Sequence, residues 1–233
     1  MVGMKETLMI IAMVALVGCG STPTAPTVAS TFISDPADEN NVKIEAAIRM
    51  RIKKPTGKLT KADLAKVKVL WFPESNGLTD MSALAGLKQM EELYLSGNKL
   101  PDASSLAELT QLKVLDLWNN RLTDASGLAG LTQLEMLHLR GNRLTDVSAL
   151  AGLTKLKYLN LGDNHITDVS TLAKLTQLRT LQLRVNRITD VSALAKLTQL
   201  RRLWLKLNPN LTKGKIDELQ RALPKCEITH DFE

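Results

Sequence analysis

The stretch LEMLHLRGNRLTDVSALAGLTK, residues 134–155, decides the fold, because the next 22 residues, LKYLNLGDNHITDVSTLAKLTQ (156–177), repeat its pattern. Working outward, Asn76, Asn98, Asn120, Asn142, Asn164, Asn186 and Asn208 recur at that same period without a slip. A fixed period of this length is the mark of a stack of identical supersecondary units. Within each unit the alternate leucines, such as Leu137 and Leu139, point one way and the residues between them the other, so each repeat supplies one short strand. A second apolar cluster, such as Leu150 and Leu153, closes the core from the opposite wall. One repeat cannot bury its apolar face alone, and stacking neighbours does it. The aromatic content of 3% against 44% hydrophobic residues agrees, since the core must then be aliphatic. The Asn turns the chain inward, where its amide can satisfy backbone groups that the turn leaves unpaired.

The full pattern, LxxLxLxxNxLTDxSxLAxLTQ, resembles the leucine-rich-repeat consensus. Its 22-residue length and the run TDVSALAGL (145–153) resemble the internalin-like class of bacterial repeats. The resemblance runs from about Asn40 to the C-terminus. It implies an α/β solenoid: a leucine-rich-repeat right-handed superhelix with a parallel β-sheet on the concave face, short helical turns on the convex face, and helical N-terminal and C-terminal caps. The expected division is 1–18 signal peptide, 19–39 lipidated Cys and tether, 40–75 N-terminal cap, 76–211 repeats and 212–233 C-terminal cap.

The caps have their own signals. VKIEAAIRMRIKKP (42–55) reads as an amphipathic helix stopped by Pro55, and Thr60 is placed to cap KADLAKV (61–67). VKVLWFPESN (67–76) carries one residue too many before Asn76, as a degenerate first repeat does. Thr212 is placed to cap KGKIDELQRAL (213–223), and KCEIT (225–229) reads as a last strand. There Cys226 alternates with Ile228 and is most simply a small core residue, a reactive thiol being the sharper alternative. The Asp column (Asp80, Asp102, Asp124, Asp146, Asp168, Asp190) precedes xSxLA, a good position for an N-cap. A metal reading of these stacked carboxylates competes, but capping already accounts for them; no metal or cofactor is expected.

The N-terminus reads differently. Lys5, ten apolar residues from Leu8 to Val17 and then small residues make the pattern of a secretory signal. Ten residues rise about 15 Å as a helix, roughly half of a hydrocarbon core, so this is no spanning helix. Leu16-Val17-Gly18-Cys19 resembles the lipobox of bacterial lipoproteins. The resemblance implies cleavage before Cys19 and acylation of its thiol and new amine, palmitate being the usual kind of chain. Several acyl chains give durable membrane anchoring where one would be marginal. By the same resemblance, Gly20 in place of Asp after the Cys implies outer-membrane delivery in a host that has an outer membrane, so the expected location is the cell envelope. From Gly20 to Asp38 the Ser, Thr, Pro and Ala residues show no periodicity to bury, and the segment reads as a tether reaching at most roughly 60 Å.

Chemistry is sparsely represented. His138 neighbours Asp116 and Asn160 on one row of the sheet, and an Asp–His pair can orient a base. The row continues to Gln182 with no Ser or Cys, no His/Cys cluster has zinc spacing, and no Gly-rich phosphate loop precedes a helix. No catalytic residue is assigned. The variable face positions carry more: four of the five Trp and Tyr residues lie there, and Trp, Tyr and Arg are the residues that anchor interfaces. Tyr94, Asp116, Trp118, His138, Arg140, Tyr158, Arg184, Arg202, Trp204 and Lys206 are the candidate partner-binding residues. Tyr94 and Trp118, on adjacent repeats, are expected to form one contiguous patch. Trp204 sits amid Arg184, Arg202 and Lys206 in a second, cationic one. The net charge of +6 mildly favours anionic partners without demanding them. The expectation is a non-catalytic, envelope-anchored module engaging a protein partner on its concave face, with an acidic glycan or envelope polymer on the basic C-terminal half, or a passive structural lipoprotein, as alternatives; nucleic acid is not expected.

If Cys19 carries lipid, the native protein partitions into the detergent phase, and Cys19→Ser releases it or leaves it unprocessed. Intact-mass analysis showing an unmodified N-terminus that starts elsewhere would overturn the assignment.

Overall fold

A computed structural model describes residues 37–72, 74 and 76–232; Cys19, the apolar leader and nearly all of the Ser/Thr/Pro/Ala stretch lie outside them. The 22-residue period becomes one open sheet of parallel strands in chain order. These are β1 (Val69–Trp71), β2 (Glu92–Tyr94), β3 (Val114–Asp116), β4 (Met136–His138), β5 (Tyr158–Asn160), β6 (Thr180–Gln182), β7 (Arg202–Trp204) and β8 (Glu227–Thr229). Each strand is three residues long, and its central apolar residue points inward. Leu93, Leu115, Leu137, Leu159, Leu181 and Leu203 stack in register and end on Ile228 of the last strand. From β2 to β7 the six leucines are buried. Val69 pairs with Glu92, one residue further apart than the steps from β2 to β7, and this absorbs the extra residue seen before Asn76.

The opposite wall is a row of 3-10 turns, such as Ser126–Leu128, Ser148–Gly152 and Ser170–Lys174. The Asp column works one step away from the expected place. Asp146 stands before the cap residue Val147, which makes no side-chain cap bond. Its Oδ1 instead accepts from Ser148 N at 2.7 Å, and Ser148 Oγ donates to Oδ2 at 2.8 Å. Asp168 does the same for Ser170. The carboxylate thus closes an Asx-type turn rather than an N-cap. These bonds from Ser backbone and hydroxyl hold the Asp146 carboxyl below its ordinary range.

The inward Asn residues join the repeats. Leu122 N donates to Asn142 Oδ1 at 3.0 Å, while Asn142 Nδ2 donates to Leu117 O and Leu139 O, each at 3.0 Å. One amide therefore satisfies backbone groups of its own repeat and of the one before. The same set recurs at Asn120, Asn164 and Asn186, and Asn208 closes it with Ile188, Leu183 and Leu205. Among the described residues this buried ladder begins at Asn98, and Asn76 stays half-exposed. To aim the amide inward, the residue before each Asn takes a left-handed backbone. Gly97 and Gly141 do so at φ 67 and 70, Asn119 and Asp163 at φ 53, but Val185 and Leu207 at φ 54 and 61. The last two types adopt that region only under strain.

The ends are sealed by helices. Asp38 caps α1 (Glu39–Ile52), which buries Ile44 and Ile48 and packs against β1. Thr60 and Asp63 form a capping box on α2 (Lys61–Leu64). Thr212 caps α3 (Lys213–Ala222), whose Ile216 and Leu219 are buried, and Lys215 reaches Asp190 at 2.9 Å. Cys226 is 4% exposed and burial pushes its thiol up to about 11, so it is a core residue with no reactive thiolate. No helix among the described residues is long and apolar enough to cross a membrane.

Asn142→Ala leaves buried groups of two repeats unpaired and is expected to cost about 1–3 kcal/mol in denaturant unfolding. The same change at Asn76 should cost no more than about 0.5 kcal/mol. Equal shifts at the two positions would show that the ladder is not the seam between repeats.

Candidate functional site

The sheet register sets the concave face in three rows. The first runs Val69, Glu92, Val114, Met136, Tyr158, Thr180, Arg202, and the second runs Trp71, Tyr94, Asp116, His138, Asn160, Gln182, Trp204. The third follows each strand by two residues and holds Ser96, Trp118, Arg140, Gly162, Arg184 and Lys206. Neighbours in a row stand about 4.8 Å apart.

Three rings from three repeats meet at its centre. Trp118 stacks on His138 with centroids 6.4 Å apart and an interplanar angle of 13°, and His138 meets the Tyr158 ring edge-on at 6.3 Å. Offset stacks and edge-to-face pairs are the arrangements that ring quadrupoles favour. An amide network locks them. Asn160 Nδ2 donates to His138 Nε2 and to Gln182 Oε1, both at 2.9 Å, and Asn160 Oδ1 accepts from Gly162 N at 3.0 Å. Gln182 Nε2 donates to Tyr158 Oη at 3.2 Å. With Nε2 accepting, the network assigns the imidazole proton to Nδ1, which faces Asp116 Oδ1 at 3.6 Å. That separation is too long for a charge-assisted bond, and Asp116 already accepts from Trp118 N at 2.9 Å. Burial, opposed by Asp116 and aided by Arg140, pulls the His138 pKa below its ordinary value. His138 is therefore a neutral, oriented ring at neutral pH.

The ring contact that Trp118 makes is with His138. Tyr94 Oη donates to Glu92 at 2.9 Å, and burial together with that carboxylate pushes its pKa up to about 12. Trp118 leans instead over the diagonal neighbour on β4, within reach of a large ring. Arg140 is held by Asp163, which leaves its charge compensated. Arg202 lies over the Trp204 ring at 5.6 Å, while Arg184 is half-buried and Lys206 exposed. Gln182 pairs in register with Trp204 and bonds both Asn160 and Tyr158, so it links the central cluster to the cationic end.

Sequence reasoning missed two kinds of residue. Trp71 is 61% exposed and continues the Tyr94 row; the extra residue before Asn76 hid it, and aligning on the strand rather than on the Asn reveals it. Asn160, read as an open-face residue, is 3% exposed because His138, Tyr158 and Gln182 surround it. The Asp116–His138 pair has no nucleophile beside it, its next neighbour being Asn160. Among the described residues no group of three or more His, Cys, Asp or Glu is placed to hold a metal ion.

Comparison with known proteins agrees with this geometry. The family model described as leucine-rich repeats (2 copies) matches residues 110–150, 132–174 and 176–221. Internalin C2 of Listeria monocytogenes is 30% identical with a TM-score of 0.68, over 83% of this chain and 96% of that one. Another internalin of that species is 28% identical with a TM-score of 0.64, over 74% of this chain and 63% of its own. A leucine-rich-repeat protein of Leptospira interrogans is 26% identical with a TM-score of 0.63, over 75% and 51%. No curated protein matches the chain.

Because the folded state holds His138 neutral more tightly than the unfolded chain does, the unfolded state takes up its proton first as pH falls. This part of the stability is full above the ordinary imidazole value and is lost as pH falls below it and through the lower folded-state value. His138→Gln should flatten that part of the melting-temperature profile. A wild-type imidazole resonance titrating at or above the ordinary value would contradict the burial argument.

Proposed function

The chain belongs to the family of leucine-rich-repeat proteins, and from that premise we propose that it is a non-catalytic binding module whose concave face engages a protein partner through the Trp118–His138–Tyr158 cluster. The observation that carries the reading is that this cluster is built, not merely present. Three rings on three separate repeats are held in one arrangement by Asn160 and Gln182. Folding alone asks for none of them, since the buried leucines and the Asn ladder already complete the core. Rigid aromatic side chains bury large area at small entropic cost, and this is the composition of interface hot spots.

A catalytic reading is weaker on chemical grounds. The imidazole has its Nε2 occupied by an amide and its Nδ1 facing a carboxylate that is itself engaged, and the face around it is an open sheet rather than a water-excluding pocket. We further propose, from the Leu16–Cys19 motif and the tether composition, that the module is lipid-anchored at a cell envelope, in an outer membrane where the host has one. Tyr94, Asp116 and Arg140 then flank the cluster as polar rim.

For a protein ligand isolated from the producing cell's envelope, Trp118→Ala should weaken affinity by about 2 kcal/mol, roughly thirtyfold, without changing the melt. Arg184→Ala combined with Arg202→Ala should cost less and should lose its effect in salt. If neither variant changes affinity, the concave face is not the binding surface, and the caps or convex side are.

A further inference from the structure

We propose that the last two repeats carry a second site, separate from the aromatic cluster, for an acidic polysaccharide chain. Two departures of the sequence from its own stabilising rules point there.

The first lies along the entrance edge of the sheet, where the residues just before the strands stack on one another. Arg179 N donates to Lys157 O and Arg201 N to Arg179 O, each at 2.9 Å. From the N-terminal end this row reads Lys68, Glu91, Lys113, Glu135, Lys157, an alternation of sign that neutralises itself. Glu91 pairs with Lys68 at 3.5 Å and Lys113 at 2.7 Å, and Glu135 pairs with Lys157 at 2.6 Å. The next two places are Arg179 and Arg201. A Glu at 179 would continue the ladder between Lys157 and Arg201, whereas like charges at one strand spacing repel. Among the described residues neither arginine has an ion pair.

The second lies on the exit edge. Arg140 is neutralised by Asp163, the left-handed corner residue of the next repeat. Two and three repeats after Arg140 the cations are Arg184 and Lys206; at the spacing of the Arg140–Asp163 pair the corner facing Arg184 is Leu207, and the corner before it, facing Gly162, is Val185. Both corners sit at positive φ where Asp, Asn or Gly would be less strained, and Leu207 is 56% exposed. The chain thus gives up a carboxylate and accepts backbone strain at the same repeats where the entrance edge gives up its own. Between the edges stand Arg202 and Trp204, the guanidinium 5.6 Å from the ring. Among the described residues the carboxylates near this surface include Glu227, in register with Arg202, Asp231, whose Oδ2 accepts from Leu207 N at 2.6 Å, and Asp163, whose backbone N donates to Arg184 O at 2.9 Å while its side chain pairs with Arg140.

Five cations, Arg179, Arg184, Arg201, Arg202 and Lys206, therefore bracket one half-exposed indole across a width of roughly 16 Å, five residues of extended chain. A ligand that fits must bear repeated negative charge and also offer apolar faces to Trp204 and Leu207. A polysaccharide with carboxylate groups does both, through its acid groups and the C–H faces of its rings. A bilayer surface fits less well, because a plane of headgroups offers negative charge but no ring face to lie against Trp204. This inference does not depend on the aromatic-cluster reading.

The test titrates the purified protein with polygalacturonate, with neutral dextran of equal length as control. Binding to the acid polymer and not to dextran is expected, falling at least about tenfold between about 50 and 300 mM salt. Arg179→Glu is the informative variant, because it should complete the ion-pair ladder: the melt stays equal or rises while affinity drops about tenfold or more. Trp204→Ala should also weaken binding, and Trp118→Ala should not. The proposal is overturned if polygalacturonate binds no better than dextran at low salt, or if Arg179→Glu leaves affinity unchanged. It is equally overturned if duplex DNA or anionic phosphatidylglycerol vesicles bind as well as the polysaccharide and without dependence on Trp204, which would reveal a non-specific cationic patch.

Discussion

Each repeat ends in a turn whose backbone groups face the interior, and the structure depends on one side chain to satisfy them. The amide of Asn is the smallest group that offers an acceptor and two donors from one rigid plane. At Asn142 all of that capacity is spent on backbone, the acceptor on the preceding repeat and the donors on its own and the preceding one. Buried polar groups left unpaired are costly, so the ladder makes stacking and internal satisfaction the same event. The leucine columns supply the larger share of the driving force, but they are tolerant in register. The amide is not, because its partners are fixed in both repeats. From this follow the regular sheet spacing and the left-handed residue that must precede each Asn.

That constraint divides the chain into committed and free positions. Leucines, Asn and the Asp–Ser turns are spoken for, and the face positions between the strand leucines are not. What occupies the free positions is therefore informative in a way that composition is not. In the middle repeats they hold three rings fixed by Asn160 and Gln182. In the last repeats they hold cations with no ion pair among the described residues, with Val185 and Leu207 accepting strain that Gly97 and Gly141 avoid. The two regions touch through Gln182 but have different physics, one half-buried and held by amide bonds, the other charged and open to salt. A single sheet thus offers two kinds of surface without any change in its scaffold, as nearest-neighbour architectures allow.

Much of the face could be read from the period alone, because registering the strands by their leucines places Asp116, His138 and Asn160 side by side. Which neighbours touch could not be read. Tyr94 and Trp118 are on adjacent repeats, yet the tyrosine hydroxyl bonds Glu92 and the indole stacks on His138 of β4. The direction in which a ring leans is decided by competition among several neighbours, and that competition has no signature in spacing. Trp71 escaped for a simpler reason, one inserted residue between its strand and Asn76. The Asp column shows a third limit. Its role in starting the convex turn was legible, but the turn is a 3-10 turn closed through the serine two residues on, and this placed the carboxylate one position earlier than a helix cap.

The sequence by itself determined the solenoid, the direction and number of its repeats, the inward Asn, the helical seals and the list of residues free to face outward. These follow from periodicity and local propensity, which are properties of the chain taken a few residues at a time. Only the tertiary structure decided that His138 is neutral, that Asn160 is buried on a face nominally open to water, and that Arg140 is paired with Asp163. Each of these is set by groups 22 or more residues distant, brought to within a few ångströms by stacking. Desolvation and charge pairing depend on that distance in space and not on separation along the chain.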